Sequence, residues 1–154
     1  MKYFLKETYV KANHAGPKAR MDAEKIMLDN GYQEYYLTDN QKNNDLNEDD
    51  VIILQFPLLW KSLKMQIRMK FLKRKNFRAY LLIHDIESLR NKKIKTFKDF
   101  KHSIIYYLQN KTVLERVDGI IAHNDKMRSE IMKMGIKPEK IVTLEVFDYL
   151  IPDL

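Results

Sequence analysis

Val51-Ile52-Ile53-Leu54-Gln55-Phe56-Pro57 is a short, continuously apolar run that ends abruptly in polar and helix-breaking residues. Such a run between helical segments reads as a strand buried on both faces of a parallel sheet. Two others share its grammar: Arg78–Ile83 is followed by His84-Asp85, and Ile120–Ala122 by His123-Asn124. In an open α/β sheet, ligands bind in the crevice outside the carboxyl ends of the strands. The groups that follow these three runs are therefore expected to face one cleft.

Working outward, the remaining segments alternate in kind. Tyr3–Thr8 reads as a first strand and Lys11–Pro17 as a polar loop. A helix runs from Lys18 to about Asn30, with Ala19, Ala23, Ile26 and Met27 three or four apart. Gly31 stands where a left-handed C-terminal cap belongs. Glu34–Leu37 reads as a second strand, and Asp39–Asp50 as an acidic loop with little means of burying itself. Val51–Gln55 is the third strand, Leu58–Lys75 a basic helix, Arg78–Ile83 the fourth strand and Asp85–Lys98 irregular. Phe100–Arg116 is helical and Ile120–Ala122 the fifth strand. A helix capped by Asn124 or Asp125 runs to Met134, stopped by Gly135 and Pro138, before a sixth strand, Ile141–Leu144. This alternation predicts one three-layer, Rossmann-like α/β domain: a mostly parallel sheet of about six strands with helices on both faces.

The 154 residues suffice for one domain with a full core, and 45% apolar content is ordinary for a globular chain. The absence of cysteine fits a reducing cytosol, and no stretch approaches the roughly 18 apolar residues of a membrane span. Charge is uneven. Residues 1–55 hold 7 Lys/Arg against 10 Asp/Glu, whereas residues 56–154 hold 21 against 11. Much of the excess lies in Lys61, Lys64, Arg68, Lys70, Lys73, Arg74, Lys75 and Arg78, with no acid among them. Trp60, Leu63, Ile67 and Phe71 recur there at helical spacing. Three readings stay open: a solvated basic face, a surface for anionic lipid bearing Trp60, Phe71 and these cations, and nucleic-acid binding. Nucleic acid is the least expected, because no stacking-aromatic motif accompanies the charge.

The chain has four glycines and neither a GxGxxG nor a Walker loop, which argues against a dinucleotide enzyme or P-loop NTPase. His14, His84, His102 and His123 show no HxxxH or HxH spacing, so no metal site is expected. Asn13-His14-Ala15-Gly16-Pro17-Lys18 lies between the first strand and first helix, where Gly16 would let backbone approach a ligand. A plain turn is the competing reading. Asp85, just beyond a buried strand, could act as general base on a hydroxyl, or could cap a turn. Asn124 is equally a ligand group or an N-cap.

The segments NHAGPKARMDAEKIMLDNGY, VIILQFPLLW, YLLIHDIESLR and VDGIIAHNDKMRSEIMKMGIKPEKIVTLEVFDYL together resemble the N-terminal half of bacterial galactofuranosyltransferase-like sugar transferases. That group is similar to the glucosyltransferases that extend O-linked GlcNAc on streptococcal adhesins. The resemblance implies a GT-B architecture, of which residues 1–154 would form the acceptor-side domain, inactive alone. It implies no cofactor, and a UDP-sugar donor held mainly by a C-terminal domain beyond Leu154. Carried over position by position, Asn13, Gly16, Lys18, Gln55, Pro57, His84, Asp85, Arg90, His123 and Asn124 match the family's strand-end positions and, with His14 of the first loop, are expected at the substrate; Asp85 as base rests on its chemistry and its place after the fourth strand. The resemblance further implies a glycan or lipid-linked acceptor, homo-oligomeric assembly, and a place at the inner face of the cell membrane. The rival expectation, from another class, is a free-standing flavodoxin-like interaction module with a basic surface.

Overall fold

The computed structural model describes residues 1–6, 15–37, 46–56, 72, 76–84 and 96–144. They form β1 (Lys2–Leu5), α1 (Ala15–Asp29), β2 (Gln33–Tyr35), β3 (Val51–Phe56), β4 (Arg78–Ile83), α2 (Phe97–Arg116), β5 (Gly119–Ala122), α3 (Asp125–Lys133), a 3-10 turn (Pro138–Lys140) and β6 (Ile141–Thr143). The six strands make one sheet in the order β2-β1-β3-β4-β5-β6, and every neighbouring pair is parallel. The α/β Rossmann-like arrangement is thus as the sequence predicts. The direction of strand addition reverses between β1 and β3, which opens a crevice at their carboxyl ends.

Alternation along the strands assigns the two faces. Ile52, Leu54 and Phe56 join Leu81, Ile83, Ile120 and Ala122 in the larger core, closed by Val113 and Leu114 of α2 and by Met127 and Ile131 of α3. Phe4 and Leu82 pack on the other face with Ala23 and Met27 of α1, bordered by Ile53 and Ile121. Helices therefore cover both faces. Gln55, between Leu54 and Phe56, points to the α1 side.

Helix ends follow local chemistry. Gly31 adopts φ +79°; its N–H reaches Leu28 O at 3.0 Å and Tyr32 N–H reaches Met27 O at 3.0 Å, a Schellman closure. Asn124 Oδ1 accepts the Met127 N–H at 2.8 Å, capping α3, and Gly135 at φ +87° follows its last turn. Lys140 Nζ donates to the carbonyls of Leu114 (3.1 Å) and Glu115 (2.7 Å), satisfying the negative end of α2.

Four expectations need correction. α1 starts at Ala15, so Gly16 and Pro17 occupy its first turn, where proline's missing N–H costs nothing. Ile26, 37% exposed, lies beside the buried stripe, which follows the four-residue spacing of Ala19, Ala23 and Met27. The acidic stretch is not wholly solvated: Leu46 and Asp50 are buried. Asp50 tolerates this by accepting the Met1 ammonium at 2.5 Å and the Asn47 N–H at 2.8 Å. The Asn47 bond and then the ammonium hold its carboxyl below the ordinary range. Finally, α2 begins at Phe97, inside the run read as irregular, with the Phe100 N–H bonded to Thr96 O at 3.1 Å. Of the basic stretch Leu58–Lys75, only Leu72 lies within the described residues, helical and buried. No helix among the described residues is long and apolar enough to cross a membrane.

Candidate functional site

A connected set of polar side chains lines the α1 side of the sheet's carboxyl edge, beside the β1/β3 crevice. It starts at Lys6, directly after β1, whose Nζ contacts Glu24 Oε2 at 2.5 Å and Glu34 Oε1 at 3.3 Å. Glu24 and Arg20, one turn apart on α1, are almost fully buried, as is Gln55. Gln55 Nε2 donates to Glu24 Oε1 at 3.4 Å, and Gln55 Oε1 faces His84 Nε2 at 2.6 Å. The ring of His123 follows, its centroid 5.8 Å from that of His84.

The Gln55 amide decides the state of His84. Its nitrogen faces a carboxylate, which only accepts, so its oxygen faces the imidazole. That oxygen only accepts, so His84 carries its proton on Nε2 and the lone pair on Nδ1. Burial lowers the His84 pKa to about 3, with the Arg20 charge and then His123 acting in the same direction. Burial lowers His123 as well. A group with a pKa near 3 takes a proton poorly at neutral pH but remains a good hydrogen-bond acceptor. His84 is thus poorly suited to act as a base.

Charge at the Lys6 end is balanced internally. Burial pulls the Lys6 ammonium down, but hydrogen bonds and attraction from Glu24, then Glu34, outweigh it and raise its pKa. The Tyr36 hydroxyl, ahead of Lys6, holds Glu34 below the usual carboxylate value.

Of the residues named from sequence, the structure brings together Gln55, His84 and His123. Asn124 stands at the same edge, its side-chain oxygen taken by the α3 cap. Lys18 pairs within its helix with Asp22 at 2.6 Å. Asn13, His14, Pro57, Asp85 and Arg90 lie outside the described residues, as do Trp60, Lys64, Arg68, Lys70, Phe71, Lys73, Arg74 and Lys75. Sequence reading missed Lys6, Arg20 and Glu24. A signal existed: Arg20 and Glu24 each directly follow a buried alanine of the α1 stripe, so they share its inward side.

In a doubly wound α/β domain, polar groups at the carboxyl ends of the strands stand where ligands generally bind. Residues 2–146 match the family described as glucosyltransferase 3-like, N-terminal domain, and the chain belongs to that family. A comparison with curated proteins finds no match. The resemblance noted above therefore holds at the level of a glucosyltransferase-like N-terminal domain with a glycosyltransferase-related role.

Proposed function

We propose that this chain is the acceptor-binding half of a GT-B glycosyltransferase of the galactofuranosyl type. The reaction moves a hexosyl group from a UDP-sugar to a glycan or lipid-linked acceptor at the inner face of the cell membrane. The observation that carries the reading is the Glu24–Gln55–His84 chain, which holds a neutral imidazole in a fixed orientation at the crevice. It suits the uncharged hydroxyls of a sugar better than phosphate. The lack of any phosphate-cradling glycine motif agrees with a donor nucleotide held elsewhere.

In this scheme Gln55, His84 and His123 orient acceptor hydroxyls, joined by Asn13, His14, Gly16, Lys18, Pro57, Arg90 and Asn124. Asp85, the residue after His84, takes the proton of the attacking hydroxyl. The hydroxyl oxygen bonds to the anomeric carbon as the bond to UDP breaks, and UDP leaves with the electron pair. Orientation of the two reactants supplies much of the acceleration.

The strand order β2-β1-β3-β4-β5 is also that of flavodoxin-like folds, and it favours a second reading as a free-standing binding module. Calorimetric titration of UDP separates the two. It is performed on the 154-residue chain and on the same chain followed by a nucleotide-sugar domain. Binding by the longer protein alone supports the divided enzyme. Tight binding by the short chain would show that the donor site has been misplaced, and silence from both favours the module.

A further inference from the structure

Among the described side chains of α2, the buried ones lie in its last turns. Val113 and Leu114 in its last turns are packed in the core. In the preceding turns Phe97 is 82% exposed, and Phe100, Ile104, Tyr107 and Leu108 are each between 43% and 55% exposed. At 3.6 residues per turn these five side chains fall within an arc of about 100°, opposite Val113, with Tyr107 at its edge beside the buried Leu114. Singly exposed apolar residues are unremarkable, but a continuous stripe marks an interaction surface.

The surrounding charge identifies the partner. From Asn91 to Arg116 the sequence carries Lys92, Lys93, Lys95, Lys98, Lys101, Lys111 and Arg116 against Asp99 and Glu115, the last paired with Lys111 at 3.7 Å. The complement of an apolar stripe in a cationic surround is apolar and anionic, the combination offered by acyl chains beneath acidic headgroups. A second copy of the chain would bring the same cations against each other. We propose that the outward face of α2 docks on an anionic lipid surface, the helix lying in the plane of the interface. This rests on the exposed stripe of α2 and the charge of residues 91–116, independently of the sugar-transfer reading and of the basic stretch Leu58–Lys75.

Co-sedimentation of the full 154-residue chain with vesicles tests it. One set contains equal parts phosphatidylcholine and phosphatidylglycerol, the other phosphatidylcholine alone. The chain should pellet with the acidic set and stay largely in solution with the neutral one. The triple variant Phe100→Gln, Ile104→Gln, Leu108→Gln keeps every charge and should lose roughly tenfold or more in apparent affinity. Lys101→Glu keeps the stripe and should weaken binding to the acidic vesicles by about threefold. Unchanged thermal melting establishes that both variants are folded. Wild-type binding by the triple variant overturns the proposal. So does a chain that ignores vesicles and sediments as a dimer dissociated by the triple variant, which would assign the stripe to a second copy.

Discussion

At the scale of single residues, His84 ties the site to the stability of the domain. Its pKa is about 3 in the folded chain against 6.5 for the ordinary imidazole. Between those values the unfolded chain binds more protons, so stability rises with pH. The contribution is complete above about pH 6.5 and is lost as pH falls toward 3, at roughly 1.4 kcal/mol per pH unit. Urea unfolding across that window should show this slope, and His84→Gln should reduce it, leaving the contributions of His123 and, toward the acid end, of Asp50 and Glu34. Glu24 is the second test. Replacing it with Gln leaves Lys6 with Glu34 alone and frees the Gln55 amide to turn over. A loss of about 2 kcal/mol is expected, the cost of removing one partner of a largely buried pair, measured by the same unfolding curves. His84 and Gln55 were legible because each ends an apolar run. Glu24 was hidden because its charge suggests a solvated surface, and only its contacts with Lys6 and Gln55 explain its burial.

Elements were read well where local chemistry decides them. β4 falls on Arg78–Ile83 as expected, and the caps at Gly31 and Asn124 stand where their residue types predict. Asn124→Ala should lower stability by about 1 kcal/mol through loss of the bond to Met127 N–H, seen as a lower melting temperature. Gly119 has a different duty: a Cβ there would stand 2.7 Å from Tyr80 Cδ1. Gly119→Ala must displace that ring and should cost about 1–3 kcal/mol, again read by thermal melting. The sequence errors share one cause. Ile26, Leu46, Asp50 and the start of α2 at Phe97 were judged on polarity, whereas tertiary contacts and helix geometry placed them. The exposed stripe of α2 was invisible for the same reason, since an apolar period signals a buried face by default.

For the whole molecule, the parallel three-layer architecture followed from the alternation of apolar runs and helical periods. The strand order did not, because periodicity carries no record of which strands are neighbours. The β1/β3 reversal, and with it the meeting of Lys6 and Gln55 around Glu24, appears only in three dimensions. On the proposed sugar-transfer reading, Asp85→Asn in the chain joined to a nucleotide-sugar domain should reduce turnover by about 10²–10⁴-fold while leaving donor affinity nearly intact, by steady-state kinetics. Retained turnover would remove Asp85 as base. The charge layout has a consequence of its own. Lys6 is neutralised by Glu24 and Glu34, and His84 and Gln55 beyond present dipoles, whereas residues 91–116 carry an excess of cation. Ionic strength therefore acts on one grip and spares the other: moving from about 0.1 M to about 1 M salt, where screening shortens from roughly 10 to 3 Å, should release the domain from lipid while its hold on a sugar stays firm. One polypeptide would then carry a latch that salt opens beside one that it cannot.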